Sequence, residues 1–210
     1  MASIIQICKM ALSHIGSDST ITAISPPDGS VEAGYCATFY PVARPEMIEL
    51  GNWNFTLTRA TLAEVSNDSE TWAYAYALPS DCLAAKRILR PGYQLTVFTQ
   101  DEGTYSPNDN DSADFAIEGS VLYSNEPEAV LVYARDVTDT TKFTPSFVLA
   151  LSYLLAAYLA GPIIKGKDGM TIGDGMRQRA NTMAQQSAAM AANASSSTTD
   201  FVPSSVSARR

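Results

Sequence analysis

The chain has little of what most metal sites and many catalytic sites are made from: it contains one histidine and three cysteines in 210 residues. His14 has no second histidine with which to build a zinc site. Cys8, Cys36 and Cys82 lie far apart and are odd in number, whereas a secreted disulfide framework holds more cysteines, in pairs. We therefore expect the cysteines to be reduced, buried, small apolar residues, and His14 to be a structural or surface residue.

Recognisable catalytic and ligand motifs are also missing. His14 is the one base available to a Ser-His-Asp or Cys-His arrangement, and no G-x-S-x-G elbow accompanies it. Asp109, Asp111 and Asp114 resemble the start of a calcium loop, but the Gly and Glu of an EF-hand are not at their positions. We predict no catalytic, metal-binding or cofactor-binding residue and no enzymatic activity.

Positive charge is scarce. Lys and Arg number 14 against 22 Asp and Glu, which gives a formal net charge of −8. This balance argues against tight wrapping of nucleic acid, because affinity for DNA depends largely on basic residues that neutralise phosphates. It suits a soluble protein, or a surface past which a polyanion slides without sticking. Residues 1–3 lack the basic region of a signal peptide, so we expect synthesis in the cytosol.

Hydrophobic residues make up 46 % of the chain, enough for one large domain or for one domain with an insertion. Residues 147–164 carry no charge and reach the lower length limit of a membrane span. They are also rich in alanine, contain Ser152, Tyr153 and Tyr158, and are interrupted by Gly161 and Pro162. We expect a helix buried on all sides rather than a membrane span.

Helical periodicity predicts four helical segments. The first covers residues 3–15 and stops at Gly16; the second begins at Ser30 and should be kinked or split by Pro41 and Pro45. The third opens at Pro145, and a glycine-rich linker over residues 166–175 separates it from the last, over residues 176–194. The side chains expected on the buried sides of the second and last helices are Val31, Tyr35, Phe39, Val42 and Met47, and Met176, Ala180, Met183, Ser187, Met190 and Ala194.

Between these helices, residues 53–136 are rich in β-signal. Strands are predicted at residues 53–57, 72–78, 94–99, 114–118, 121–124 and 129–133, with a tight hairpin at Gly119 and a polar loop over residues 99–113. In the second of these strands Ala73, Ala75 and Ala77 alternate with large side chains and form a flat face suited to subunit packing. We expect both tryptophans, Trp53 and Trp72, to anchor the core.

The predicted architecture is α+β: a four-helix bundle with an inserted antiparallel β domain and an extended C-terminal tail. Its parts are an N-terminal helical half (residues 1–52), the β domain (53–136), a C-terminal helical half (137–194) and the tail (195–210). The tail is rich in Ser and Thr and should order only on a partner. Its apolar and basic residues, Phe201, Val202, Arg209 and Arg210, are our candidates for partner binding.

Several segments, in order, resemble the head-to-tail adaptor of short-tailed bacteriophages (podoviruses), also called tail tubular protein A. Residues 7–16, ICKMALSHIG, are similar to that family's opening helix. WNF at 53–55 is similar to its W-N-F-A motif, with Thr56 in place of the alanine, and YALPSDCL at 76–83 resembles its Y-x-L-P-x-D-C motif. LLAAYLA at 154–160 is similar to its third long helix, so the likeness covers residues 2–194.

The resemblance implies a ring of twelve copies in the neck of the virion, assembled in the host cytoplasm, between the portal and the tail nozzle (tail tubular protein B). The ring would close the filled head and conduct DNA through its channel without specific binding. Phe201, Val202, Arg209 and Arg210 would then meet the portal, while Ala73, Ala75 and Ala77 would pack between subunits. Two alternatives stay open: a tail-associated hydrolase that draws on the 22 acidic residues, and a membrane-inserting protein that uses residues 147–164.

Overall fold

The structure is a computed structural model, and it describes residues 2–18, 20–89 and 112–194. It is an α+β fold with four helices and two small antiparallel sheets. Two helices, α1 (Ile4–His14) and α2 (Val31–Leu50), precede the strands, and two, α3 (Pro145–Ile164) and α4 (Gly166–Ala194), follow them. The strands are β1 (Leu57–Thr61), β2 (Ala63–Val65), β3 (Tyr74–Ala77), β4 (Cys82–Leu89), β5 (Ser112–Ala113), β6 (Phe115–Glu118), β7 (Val121–Ser124) and β8 (Val130–Arg135).

The first helix is confirmed within one residue at each end. Ser3 caps α1 in a reciprocal arrangement in which its hydroxyl accepts from the backbone N–H of Gln6 and the Gln6 side chain accepts from the backbone N–H of Ser3. Gly16 follows the helix with φ +75°, the left-handed conformation that ends a helix at little steric cost.

Pro41 and Pro45 were predicted to kink or to split α2, and the split is wrong, because the helix continues through both. Its buried side chains recur every three or four residues, and this stripe holds the helix against its neighbours. Pro41 is exposed and Pro45 half-buried, so water can reach the carbonyls that lose their N–H partners. The predicted buried side is confirmed in part: Met47 is buried, Tyr35 and Phe39 are half-buried against the helical core, and Val31 and Val42 are exposed. The buried residues of the helix are Ala33, Cys36, Tyr40, Ala43, Met47 and Ile48.

The predicted glycine-rich linker is wrong as well. Helix α3 runs past Gly161 and Pro162 to Ile164, and α4 begins at Gly166 after Lys165, both with positive φ. The glycine-rich segment forms the first part of α4, and two of its glycines, Gly169 and Gly173, face the backbone of α3. The described buried side chains of α4 include Met176, Ala180, Ala184 and Ser187; Met183 is half-buried and Met190 exposed, and the burial of Ala194 lies outside the described residues.

All four helices contribute to one hydrophobic core, in which α3 is the central element. Helix α3 contacts α1, α2 and α4, and its ten buried residues include Phe147, Leu151 and Leu155. By length and composition α3 could cross a membrane, and 56 % of its most apolar window is buried inside the protein. Ten of its 20 residues are buried and most of the others are half-buried, so α3 is central to the core but is not buried on all sides as predicted.

Two strand predictions need correction. Residues 54–56 form a turn of 3₁₀-helix, and the strand begins only at Leu57. The Trp53 side chain is directed into the helical core, where its Nε1 donates to the Met47 carbonyl at 2.8 Å, and this contact prevents an extended strand. Strands β2 and β4 were not predicted. In β4 nearly every side chain is half-buried and two bulges break the pairing, so no period of two is visible.

The remaining strand predictions fare better. The β6–β7 hairpin with Gly119 at φ +63° and strand β7 are confirmed, while β3 is shorter than predicted and β8 is shifted by one or two residues. The predicted strand at residues 94–99 and most of the loop at 99–113 lie outside the described residues. Trp53 is a core residue as expected, but Trp72 is half-buried and belongs to neither hydrophobic core.

The strands form two four-stranded sheets that pack face to face. Sheet 1 has the order β1-β8-β4-β5 and sheet 2 the order β2-β3-β7-β6. A second hydrophobic core lies between them, with Leu131 and Ile88 from sheet 1 and Tyr76 and Leu122 from sheet 2. Ala134, at one end of sheet 1, belongs instead to the helical core. Sheet 1 therefore contacts the helical core at the Ala134 end of its outer face, and its inner face packs against sheet 2.

Candidate interaction surfaces

The predicted packing residues lie on or beside the outer face of sheet 2. Ala75 and Ala77 are in β3, and they point away from Tyr74 and Tyr76, which enter the core between the sheets. Ala73 precedes the strand, is exposed, and donates its backbone N–H to Asn125 Oδ1 at 3.0 Å. The structure thus brings Ala75 and Ala77 together on one face and leaves Ala73 at its end.

This outer face is apolar across all four strands. One row of paired residues is Val65, Ala75, Tyr123 and Ala116, and the next is Ala63, Ala77, Val121 and Glu118. Ala75 is fully buried because it lies between the larger Val65 and Tyr123. We call the seven apolar members of these two rows the apolar sheet face; none of them belongs to either hydrophobic core.

The outer face of sheet 1 has a different character. Arg59 on β1 and Arg87 on β4 both pair with Val132 on the central strand β8, so the three side chains share one row. Leu57 and Thr61, two residues to either side of Arg59, share the same face and are exposed, as is Arg59. We call these five residues the basic sheet face. Helices cover its far end, where Ala134 contacts the helical core.

Charge is distributed unevenly over the two sheets. Residues 62–79 and 112–128, which build sheet 2 and its connections, contain no Lys or Arg. Their charged residues are seven acidic ones, and all but Glu126 are exposed: Glu64, Asp68, Glu70, Asp114, Glu118, Glu126 and Glu128. Within the sandwich, the charged residues of sheet 2 and its connections are all acidic, whereas Arg59 and Arg87 lie on sheet 1. The net charge of the chain does not reveal this distribution.

His14 lies where α1, α3 and α4 meet. Its Nε2 is 3.0 Å from Ser152 Oγ, and its ring stacks on Tyr153 with centroids 4.3 Å apart. The Ser152 hydroxyl donates to the Leu149 carbonyl at 2.7 Å, so it accepts the proton of a neutral imidazole. Burial, and next the nearby Arg179, lower the pKa of His14. His14 is a structural residue, as expected.

A shallow groove of about 640 Å³ runs beside His14 along the outer side of α1. It is lined by Ala2, Gln6, Lys9, Met10, Ser13 and His14. One lysine supplies its only permanent charge, and the lining has no carboxylate to pair with His14 as an acid or base. Nor does any group of three or more His, Cys, Asp and Glu residues in the described ranges have the placement to hold a metal ion.

The cysteines follow the prediction in part. Cys8 on α1 and Cys36 on α2 are buried free thiols, while Cys82 on β4 is only half-buried. A hydrogen bond between the first two thiols, together with burial, raises the pKa of Cys8, so its thiol is protonated at neutral pH. Cys8 and Cys36 thus act as small apolar residues that join two helices.

The structure also reveals polar links that the sequence pattern gave no means of finding, since their members lie about 90 to 130 positions apart. Arg44 on α2 donates to both carboxylate oxygens of Asp136, at 2.8 and 2.7 Å, and so ties the helices to the end of β8. Arg177 on α4 pairs with Glu46 at 2.8 Å and covers the ring of Tyr158, whose hydroxyl donates to the same carboxylate.

The four predicted partner-binding residues of the tail, Phe201, Val202, Arg209 and Arg210, lie outside the described residues. The described chain ends in α4, which at 29 residues is about 43 Å long, against about 30 Å for the 20 residues of α3. Residues 180–199 carry no charged side chain. Comparison of the chain with models of known protein families and with curated protein sequences found no match.

Proposed function

We propose that this chain is a head-to-tail adaptor of a short-tailed bacteriophage. It is a structural protein without enzymatic activity, and twelve copies form a ring between the portal and the tail nozzle protein. The ring closes the head after packaging and conducts DNA during ejection. The excess of acidic residues supports this role, because a net charge of −8 on each copy keeps DNA from adhering to the channel.

The observation that carries the proposal is the way in which the two ends of the chain combine. Helices α1 and α2 come from the beginning and α3 and α4 from the end, yet they share one core, and the strands between them share another. This arrangement agrees with the four-helix bundle and inserted β domain that the ordered motifs imply. We accordingly propose the boundaries 1–52, 53–136 and 137–194, with a tail from residue 195.

The long helix α4 supports a role for the tail in docking. It extends beyond α3, and its exposed residues after Arg179 are uncharged. Sixteen further residues continue from it, and the apolar pair Phe201 and Val202 and the basic pair Arg209 and Arg210 stand out among Ser and Thr. We propose that these four residues bind the portal, with apolar anchors and charge-assisted contacts.

The experiment is the mass, measured by light scattering, of the purified protein alone and mixed with the portal protein of the same virus. The full chain should join the portal in a defined multi-copy complex, and a chain truncated after Ala194 should fail to join it. Thermal unfolding of the truncated chain should match that of the full chain, which separates lost docking from lost folding.

A matched pair of tail variants makes the test specific. The variant Phe201→Ala with Val202→Ala should lose portal binding, while Ser204→Ala with Ser205→Ala, in the same tail, should keep it. Unaltered binding of the truncated chain would overturn the assignment of the tail. A full chain that ignores the portal would overturn the adaptor function itself and would favour a search for hydrolase substrates.

A further inference from the structure

We propose that the outer side of α2 in one copy packs against the outer side of α4 in the next copy. The inference rests on the proposed adaptor function and names the two surfaces that would join neighbours in its ring. Both surfaces lie on the helices, and neither includes a residue after 194. The contact is therefore separate from the tail that we assign to portal binding.

The first argument is the exposed side of α2, a helix that the structure describes in full. Small and apolar residues follow one side of it, and we call them the outer stripe: Val31, Gly34, Thr38, Pro41, Val42 and Pro45. Val31 is 68 % exposed and Val42 52 % exposed, and a Cβ built on Gly34 would meet nothing within 4 Å. Glu49 is the one charged residue among the exposed residues of this helix. A contiguous uncharged stripe of this kind indicates a protein interface.

The second argument is a pair of backbone acceptors in the outer stripe. Pro41 and Pro45 have no N–H, so the carbonyls of Ala37 and Pro41 lose the donor that a helix places four residues further on. The two carbonyls are four residues apart, which is about 6 Å along the helix axis. A partner that covers the stripe must supply donors at this spacing, because a buried carbonyl without a partner destabilises a contact. An entirely apolar partner therefore does not fit.

The third argument is the supply of donors, and it selects the occupant. Two outer stripes do not suit each other, because the Thr38 hydroxyl, their one side-chain donor, already donates to the Gly34 carbonyl at 3.0 Å. Among the described helices, α4 alone has more than one exposed amide side chain: Gln178, Asn181, Gln185 and Gln186. Asn181 and Gln185 are four residues apart on one side of α4, so their NH₂ groups match the spacing of the two carbonyls. Residues 180–199 carry no charged side chain, so the contact buries no charge there.

The fourth argument is the kind of assembly that such a contact makes. The acceptors lie on α2 and the donors on α4, so one surface of a copy meets a different surface of the next. A contact between two different surfaces of identical subunits is heterologous, and it generates a closed ring when the rotation between neighbours closes. The two helices thus supply the kind of interface that a ring requires.

The experiment uses one variant for each surface, each with a matched control at an exposed position. Gln185→Glu replaces an amide donor with an acceptor of nearly the same shape, and Gln186→Glu makes the same change on another side of α4. Val42→Arg places a charge in the outer stripe, and Thr61→Arg makes a comparable change on the β sandwich. Sedimentation equilibrium of the full-length proteins, up to about 1 mM, detects even millimolar contacts.

Wild type and both control variants should self-associate, while Gln185→Glu and Val42→Arg should each weaken the association about tenfold or more. An equimolar mixture of these two variants should form a dimer of twice the 22.5 kDa chain mass and nothing larger. The reason is that one variant keeps its outer stripe and the other keeps its α4 donors, so a single intact contact remains. This result is specific to a contact between two different surfaces.

Pro41→Ala separates a binding role from a structural one. The alanine N–H can donate to the Ala37 carbonyl within α2, so the thermal midpoint, measured at high dilution, should rise. The same change removes an acceptor from the outer stripe, so the association should weaken about tenfold. If the proline had no part in binding, only the thermal midpoint would change.

Three outcomes would overturn the proposal. The first is a Gln185→Glu or Pro41→Ala variant that assembles as the wild type does. The second is a wild type that stays monomeric at every concentration, which leaves portal capture to decide the adaptor function by its own readout. The third is a Val42→Arg variant that self-associates like the wild type and no longer binds the nozzle protein, which would assign the outer stripe to the nozzle.

Discussion

The carbonyl oxygen of Ala160 on α3 occupies the space that a side chain at position 169 of α4 would need. A Cβ built on Gly169 would lie 2.8 Å from this oxygen, and one on Gly173 would lie 3.1 Å from the carbonyl oxygen of Ala157. Two glycines four residues apart therefore let the backbones of α3 and α4 approach closely. This contact explains why a glycine-rich segment is helical here, since packing outweighs its low helix propensity.

We predict that Gly169→Ala lowers the free energy of unfolding by about 1–3 kcal/mol, because the new methyl group forces α3 and α4 apart. Gly175→Ala is the matched control: it lies in the same helix, and its Cβ meets nothing within 4 Å. That control should be neutral or stabilising by up to about 1 kcal/mol. Urea denaturation measures both variants, and equal effects of the two would contradict the close contact.

Trp53→Ala should destabilise the protein by roughly 3–5 kcal/mol. The indole is 4 % exposed, meets Phe147 edge-on with ring centroids 5.1 Å apart, and donates to the Met47 carbonyl. Its removal leaves a cavity and an unpaired acceptor. Trp72→Ala is the comparison, and it should lower the free energy of unfolding by less, because Trp72 is half-buried and belongs to neither hydrophobic core. Wild-type stability of Trp53→Ala in urea would mean that this side chain is not a core anchor.

Stability should fall as the pH is lowered through the usual His pKa of 6.5. The folded state binds the His14 proton less readily than the unfolded state, because burial and Arg179 lower the pKa of His14 in the folded protein. The unfolded state therefore gains a proton first, and the loss is complete once the pH is below the folded pKa. His14 also contacts the Tyr153 ring and the Ser152 hydroxyl, and Lys9 lines the same groove.

The measurement is the thermal midpoint of the wild type and of His14→Gln between pH 5 and 8. Glutamine can still donate to Ser152 but cannot take up a proton, so the difference between the two curves isolates His14. A difference that stays constant with pH would contradict the assigned neutral state.

Arg44 and Asp136 should show a favourable coupling of about 1 kcal/mol in a double-mutant cycle with alanine. The pair is bidentate and only partly exposed, with 14 % of the Arg44 side chain and 35 % of the Asp136 side chain accessible. These features place it above an ordinary surface ion pair. Arg44→Lys should recover part of the coupling, and a coupling of zero in low salt would show that the contact does not join α2 to β8.

The sequence predicted the fold well where a local rule decides the structure. The start of α2 at Ser30, the Gly16 stop and the Gly119 hairpin follow from short-range chemistry, and all three are present. It failed where a distant partner decides. Pro41 remains helical because the opposite side of α2 is buried, and Trp53 leaves the strand pattern because Met47 and Phe147 hold its ring.

The candidate surfaces divide in the same way. The alternation around Ala75 and Ala77 correctly indicated that these two side chains share one face, because a period of two is a local property of a strand. It could not indicate that Val65, Tyr123 and Ala116 extend that face, since those residues come from other strands whose register is set by pairing. Nor could it indicate that Arg59 and Arg87 share one row, because each of them pairs with Val132 on the strand β8 that lies between their own strands.

The union of the two chain ends in one helical core has a consequence for biosynthesis. His14 meets Ser152, 138 positions further along, so the side of α1 that packs against α3 lacks this partner until α3 has left the ribosome. At roughly 5–20 residues per second, that delay is on the order of ten seconds. During this time the short first helix, with its buried Ile7 and Leu12, is an exposed apolar segment of a nascent chain. The order of translation therefore lets the β sandwich fold first and makes closure of the helices the last event, at which the chain becomes a finished subunit.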